Sequence, residues 1–183
     1  MFTIQHHFGS KLGLYRDVLA TWNGRVEELV RRVLADTDGA PGQLVERVVD
    51  ELFDLYLENR DCVAIHARSL LGDGLPSRRR PREAAWVEFM RSAMRQRGLG
   101  VRGLDLRLLL VTVDGVLNNH ALSTDLHRRL FGRDVTDPEL GRATKAHLRR
   151  VILAIIGYPV GHPLRETLRH RGGAAATSSG GSE

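Results

Sequence analysis

Apolar residues recur at intervals of three and four along most of this chain, which is the spacing of one face of an α-helix. The segment 11–36 shows the pattern clearly, and its apolar positions are Leu14, Val18, Trp22, Val26, Leu29, Val30 and Val33. The same spacing predicts further helices over residues 42–60, 61–73, 82–98, 104–122 and 136–157. No segment alternates apolar and polar residues as a half-buried strand would. We therefore expect an all-α fold, a multi-helix bundle with at least six helices.

Glycine, proline and capping residues mark the ends of these predicted helices. The stretch DTDGAPG ends the first helix, and a short break near Asn59 separates the second helix from the third. Thr136 and Glu139 have the spacing of a capping box, and Pro138 lies where an early-helix proline is tolerated. Residues 171–183 are low in complexity, so we expect them to form a disordered tail.

The segment 104–122 differs from the others because apolar residues cover almost its whole circumference between Leu104 and Leu117. A helix of that kind is buried on all sides, either within its own subunit or against a second one. Asp114 and Asn118 lie one turn apart within it, and buried polar side chains need hydrogen-bond partners. This polar pair could line a ligand pocket or cross a dimer seam, and both alternatives stay open.

Composition narrows the class of protein. The chain has 183 residues and is 42% hydrophobic, which suffices for one domain with a core. Its single cysteine, Cys62, excludes an internal disulfide. No apolar run reaches membrane-spanning length, and the opening MFTIQHHFGSK lacks the apolar centre of a signal peptide. We therefore expect a cytoplasmic protein that does not act at a membrane.

The net charge of +5 comes almost wholly from arginine, since Lys11 and Lys145 are the only lysines. A basic chain can indicate a nucleic-acid partner. Here no long basic stripe with interleaved aromatic residues is present, so we expect most of the arginines to be solvated at the surface.

Motifs of known catalytic chemistry are missing from the sequence. It contains no HExxH, GxSxG, P-loop or GxGxxG pattern. The histidines do not pair with acidic residues at metal-ligand spacing, and Cys62 with His66 four residues on is too little for a mechanism. We expect neither an enzyme nor a protein that requires a cofactor or a metal ion.

The opening IQHHFGSKLGLYRDVL has the features of a turn between two helices. Gly9 allows a tight turn, and Ser10 is a good N-cap for the helix that follows. Lys11 lies in the first turn of that helix, where a helix N-terminus and a cation together suit a phosphate group. With His6 and His7, it forms a short polar cluster at this junction.

This opening resembles the end of the DNA-binding domain of TetR/AcrR-family transcriptional regulators. In that family a recognition helix ends in an aromatic-rich run, and a short turn with Ser and an almost fixed Lys leads into a long helix. Gln5 departs from the pattern, because the family usually has Tyr at this position. The residues that match in register are Ile4, His6, Phe8, Gly9, Ser10, Lys11 and Leu14.

The resemblance implies a DNA-binding role for residues 1–11, which would be the remnant of a helix-turn-helix domain. Lys11 would contact a phosphate of operator DNA, and Phe8 would pack into the core of the small domain. Gln5 would be able to read a base edge, preferably adenine. The residues implied to lie at the DNA are Thr3, Gln5, His6, His7 and Lys11.

In the family, most of the helix-turn-helix domain comes before the segment that this opening resembles. We therefore expect Met1 to be an internal methionine or the edge of a fragment. DNA binding by the chain as given would then be weak and without sequence preference. A continuous reading frame directly upstream would support the regulator. An in-frame stop there would favour the alternative, a helical dimeric small-molecule-binding module with no DNA role.

The resemblance further implies that residues 12–170 form a ligand-binding and dimerisation domain. Its effector would be a small, mainly apolar molecule whose binding releases a repressor from DNA. The homodimer would use the fifth and last helices, with Val151, Ile152 and Ile155 in the seam. The side chains expected at the effector pocket are Trp22, Phe53, Tyr56, His66, Trp86, Phe89, Met90 and Asn118.

Overall fold

The computed structural model describes residues 8–36, 40–71, 80–99, 103 and 105–157, without the side chains of residues 80–82. Within these ranges the chain forms seven α-helices and no strand, which confirms the all-α prediction. The helices are α1 (Lys11–Asp36), α2 (Pro41–Glu58), α3 (Arg60–Leu70), α4 (Arg80–Gln96), α5 (Leu106–Leu122), α6 (Thr124–Phe131) and α7 (Pro138–Ile155).

Helix α1 begins as the sequence predicts. Gly9 adopts a left-handed φ of 65°, and the Ser10 Oγ accepts a hydrogen bond of 3.0 Å from the backbone N–H of Gly13. A side chain at Gly13 is excluded, because a Cβ there would lie 2.0 Å from the carbonyl oxygen of Phe8. The tight turn that leads into α1 therefore requires Gly9 before the Ser10 cap and Gly13 after it.

The predicted break between the second and third helices is confirmed at Asn59. Its backbone leaves the helical region with φ −122° and ψ 40°. Its side-chain amide donates to the carbonyl of Leu55 at 2.8 Å, and its Oδ1 accepts from Arg25 of α1 at 3.0 Å. Asn side chains compete with the helical ladder in this way, so the axis is redirected between α2 and α3.

The start of α7 differs in detail from the prediction. Asp137 is the N-cap, since its Oδ1 accepts from the backbone N–H groups of Glu139 at 3.0 Å and Leu140 at 3.1 Å. The capping box on Thr136 is therefore wrong. Pro138 occupies the first helical position and leaves the residue before it as the cap, and the carboxylate of Asp137 is a strong acceptor there.

Helix α6 is not among the predicted helices, although Leu126 and Leu130 lie one turn apart in it. His127 is its one buried residue, and Leu126, Leu130 and Phe131 are exposed, so no apolar stripe faces the core. Helix α6 is held from its N-terminal end instead, where Arg60 of α3 donates to the Thr124 hydroxyl at 3.1 Å.

Helix α2 occupies the centre of the bundle and packs against α1, α3, α5 and α7. Helix α3 lies between α1 and α5, and α4 packs against α5. Two ion pairs bind α2 to α7, Asp50 with Arg149 and Asp54 with Lys145. The largest fully buried side chains are Trp22, Phe53, Leu19, Val33, Val63 and Val135.

Helix α5 is not buried on all sides within the chain. Leu109 and Leu117 are buried, but Leu108 is 66% exposed and Val111 is 70% exposed. The described part of the chain therefore does not bury this face. Burial against a second subunit, the other alternative, stays a prediction.

No helix in the described part of the chain combines the length and apolar character needed to cross a membrane. The predicted DNA-contacting residues Thr3, Gln5, His6 and His7 lie outside the described residues, and so does the predicted tail at 171–183.

Candidate functional site

A cavity of about 1110 Å³ lies among the helices. Helices α1, α2, α4 and α5 form most of its wall, α3 contributes His66 and Leu70, and the end of α7 contributes Ile152 and Ile156. Most of the surface facing the cavity is apolar. The apolar residues that α1 and α2 present to it are Trp22, Val26, Val30, Leu34, Leu44, Val45, Val48, Val49 and Leu52.

The cavity gathers five of the eight side chains that the sequence singles out for an effector pocket. Phe53 is buried elsewhere, with its ring 6.3 Å from that of His120. Phe89 stacks on Trp86 and lies beneath the guanidinium of Arg31 at 3.9 Å, outside the cavity wall. Asn118 lies behind the wall. The five that line the cavity are Trp22, Tyr56, His66, Trp86 and Met90.

A polar network in the apolar wall centres on Asp114 of α5. Its Oδ1 accepts a hydrogen bond from the hydroxyl of Tyr56 at 2.7 Å. Its Oδ2 accepts from the amide of Asn118 at 2.9 Å and from Nε2 of His66 at 3.3 Å. Of the polar pair, Asp114 therefore lines the cavity, whereas Asn118 donates to it without lining the cavity.

The break at Asn59 brings this network together. Tyr56 lies on the last turn of α2 and His66 on α3, and the change of axis between them lets both side chains reach α5. Asp114 and Asn118 are one turn apart on α5, which places them on the same face. Three side chains from three helices, Tyr56, His66 and Asn118, therefore converge on the carboxylate of Asp114.

The network keeps this carboxylate ionised at neutral pH. Burial by itself would raise the pKa of Asp114, but hydrogen bonds from His66, Tyr56 and Asn118 outweigh it and hold that pKa below its ordinary value. Burial and the neighbouring negative charge of Asp114 together raise the pKa of the Tyr56 phenol far above its usual range. Tyr56 therefore remains a hydrogen-bond donor.

Two polar atoms of the network lack a partner among the described residues. Nδ1 of His66 and Oδ1 of Asn118 are buried without a hydrogen bond. The Oδ1 of Asn118 can only accept a hydrogen bond, and no described donor reaches it. The bond that the Asn118 Nδ2 donates to Asp114 is therefore the one that orients this side chain. Leaving a buried polar atom unpaired is costly, so each such atom in a folded protein calls for an explanation.

Aromatic rings pack around the network. Trp22 meets Tyr56 edge-to-face with ring centroids 5.0 Å apart and an interplanar angle of 69°. Across the cavity, α4 presents Trp86 and Met90. The polar network is thus enclosed by aromatic and aliphatic side chains.

Charged side chains lie elsewhere in the cavity wall, and the two arginines among them have acidic partners. Arg91 forms an ion pair of 2.5 Å with Glu88, and Arg107 forms one of 2.9 Å with Asp105. Among the residues that the structure describes, no three His, Cys, Asp or Glu side chains come together as metal ligands would.

The remaining site predictions concern the ends of α1 and α7. Lys11 is exposed at the first position of α1, where a phosphate could reach it. Val151 and Ile155 are exposed on α7, as a seam requires, whereas Ile152 is half-buried and lines the cavity.

No protein-family model, curated protein or solved structure matches the chain. The cavity, its polar network and the residues of the opening segment are therefore the observations that bear on function.

Proposed function

We propose that this protein is a ligand-responsive transcriptional regulator of the TetR/AcrR type, a repressor whose described residues form the effector-binding and dimerisation part. The observation that carries the proposal is the cavity of about 1110 Å³ with a polar network around Asp114 in a mostly apolar wall. Sites for small molecules have this character, since apolar area supplies affinity and a few polar groups supply orientation.

The volume of the cavity favours a ligand over a packing defect. Protein interiors are close-packed, and atoms that line a void lose attractive contacts on that side. An apolar effector restores those contacts when it binds. The wall is shared by helices from both ends of the described chain, so occupancy changes how these helices pack against one another.

Helix α1 supports the DNA-linked part of the proposal. It carries Lys11 at its first residue and presents Trp22, Val26 and Val30 to the cavity. A helix of 26 residues spans roughly 39 Å at 1.5 Å per residue. An effector that shifts α1 therefore also moves the segment that resembles a recognition helix, and it favours a dimer shape that no longer fits successive major grooves.

A thermal-shift screen with a diverse library of small apolar compounds tests ligand binding. A compound at 100 times its Kd stabilises the folded chain by about 2.7 kcal/mol. Trp86→Ala should weaken the response to such a compound, because Trp86 lines the cavity. The control is Arg142→Ala on the exposed side of α7. An equal loss in both variants would remove Trp86 from the binding site.

The second candidate function is a dimeric small-molecule-binding module without a DNA role, which the exposed apolar residues of α5 and α7 and the same cavity also favour. Chromatin immunoprecipitation of the tagged protein in its own cells separates the two. Discrete, roughly palindromic sites that are lost when the effector is added support the regulator. Absence of discrete sites in cells that contain the protein favours the module.

A further inference from the structure

We propose that the cavity binds an organic cation, a protonated amine or amidine on an apolar body, with its charge against the carboxylate of Asp114. This inference rests on the proposed ligand-binding function and names the chemical class of the ligand. Its basis is the geometry of the polar network in the cavity wall.

The carboxylate of Asp114, which lines the cavity, has an unused acceptor position. The side chain keeps 28% of its accessible surface although its residue lies in the middle of α5. Oδ2 already accepts two hydrogen bonds, from Asn118 and His66, whereas Oδ1 accepts one, from Tyr56. Since each carboxylate oxygen has two acceptor sites, Oδ1 can receive one more donor from a ligand.

The negative charge of Asp114 lacks a permanent positive partner. Within the described part of the chain, no lysine or arginine pairs with it, and His66 is the only ionisable nitrogen that reaches it. A buried carboxylate without a cation carries a desolvation cost that an ion pair offsets. A ligand cation would supply the missing partner.

Acidic residues outnumber basic ones in the cavity wall as a whole. The lining includes four acidic residues and two basic ones, and both of the basic residues, Arg91 and Arg107, already pair with acids. An anionic ligand would thus meet Asp114 with no available arginine to receive it. The acidic residues are Glu27, Glu83, Glu88 and Asp114.

The surroundings of Asp114 suit a cation with an apolar body. Trp22 and Tyr56 line the cavity beside the carboxylate, and aromatic faces attract organic cations. The aliphatic side chains of α2 and α5 offer apolar surface for the rest of the molecule. The network also holds the carboxylate in one orientation before the ligand arrives, which lowers the ordering cost of binding.

Three probes of equal chain length test the charge preference by calorimetry at pH 7: octylammonium, 1-octanol and octanoate. We expect octylammonium to bind about tenfold or more tightly than octanol, because a charge-assisted hydrogen bond is roughly twice as strong as a neutral one. Octanoate should bind most weakly. This ranking is measured on the unaltered protein, so it does not depend on the folding of any variant.

Asp114→Asn is the matching variant, since it removes the charge and preserves the shape. It should reduce the preference for octylammonium over octanol to about twofold or less. Asp17→Asn is the control, because Asp17 is an exposed acid of α1 that does not line the cavity and takes no part in the network. It should leave the preference unchanged.

Equal or tighter binding of octanol or octanoate, failure of octylammonium to bind, or an unchanged preference in Asp114→Asn overturns the cation proposal. The ligand-binding function itself fails under a different result, when no compound of any charge in the diverse library stabilises the chain. The two failures are therefore distinguishable.

Discussion

At the scale of single residues, Asp114 illustrates what a sequence can and cannot indicate. Its position in an apolar helix indicates that its carboxylate needs hydrogen-bond partners. The partners Tyr56 and His66 lie 58 and 48 residues away along the chain, so no local pattern points to them. Only the packing of α2 and α3 against α5 identifies which donors reach the carboxylate.

Replacing Tyr56 by Phe should destabilise the fold by about 1.5–3 kcal/mol, the range for a hydrogen bond to a charged group. The change removes the donor to Asp114 and retains the buried ring. Urea denaturation measures the loss.

The matched control for this change is Tyr15→Phe. Tyr15 donates to a neutral acceptor, the backbone carbonyl of Ile65, at 2.9 Å. We expect a smaller loss here, of about 0.5–1.5 kcal/mol. A larger loss in Tyr15→Phe than in Tyr56→Phe would contradict the assigned charge on Asp114.

The contact between His120 and His127 makes the stability of the fold depend on pH. Nδ1 of His127 must donate to the carbonyl of Ser123 at 2.8 Å, because a carbonyl only accepts. Its Nε2 then accepts from Nδ1 of His120 at 3.1 Å, which specifies the tautomer of both rings. Burial, followed by the charges of His127 and His147, lowers the pKa of His120.

Because the pKa of His120 is lower in the folded chain than in the unfolded one, the unfolded chain takes up a proton first as pH falls. Stability should therefore drop as pH falls below about 6.5, the ordinary value for histidine. His120→Asn should flatten that dependence in thermal melts between pH 7 and pH 5, whereas exposed His147→Asn should retain most of it. An identical pH dependence in His120→Asn and the parent protein would exclude this role.

At the scale of elements, Arg60 joins three segments at the start of α3. It pairs with Asp134 through two contacts of 3.3 Å and also donates to Thr124 at the start of α6. The side chains of Arg60 and Asp134 are 28% and 16% exposed, so solvent screens the pair only in part. These contacts of Arg60 position α6, which buries almost no apolar surface of its own.

Arg60→Met should lower stability by about 1–3 kcal/mol, since it leaves the carboxylate of Asp134 without its cation in a mostly buried position. Hydrogen exchange should show earlier loss of protection in α6 than in α2. The control is Arg128→Met, which removes an exposed ion pair with Asp125 on the same helix and should have little effect. Equal hydrogen-exchange protection of α6 in Arg60→Met and in the parent protein would show that Arg60 does not hold α6 in place.

At the scale of the whole molecule, apolar residues remain exposed on both helices that the sequence predicts for the dimer seam. Leu108 and Val111 of α5 and Val151 and Ile155 of α7 face outward in the single chain. Leu108 and Val111, and likewise Val151 and Ile155, lie one turn apart on their own helices, and exposed apolar surface of this kind favours an interface. Association of two copies would cover it and would complete the burial predicted for α5.

We therefore predict a twofold homodimer in solution at micromolar concentration, measured by light scattering. Ile155→Arg should give monomer or aggregate, because a charge in an apolar seam is left unpaired. Leu71→Arg, at an exposed apolar position beyond α3, should leave the dimer intact. A monomeric parent protein would rule out the interface.

Local sequence patterns predicted a helix well where its apolar stripe and its capping residue indicate the same boundary. The start of α1 at Lys11, the break at Asn59 and the place of Pro138 follow from side-chain chemistry that acts over a few residues. Helix α6 was not predicted, and Arg60, which donates to its first residue, lies 64 positions away along the chain. The cap of α7 was assigned one residue early because Thr136 and Asp137 are both suitable caps, and the position of Pro138 selects the second.

The sequence alone determined the helical class, the approximate helix positions and a set of large side chains suited to a pocket, because helix periodicity and capping are local properties. Tertiary structure decided which of those side chains share the cavity, including the exclusion of Phe53 and Phe89. It also decided that Asp114 faces the cavity. The reason is that burial and hydrogen bonding between helices depend on how each helix is rotated about its axis, and that rotation is set by all of its neighbours together.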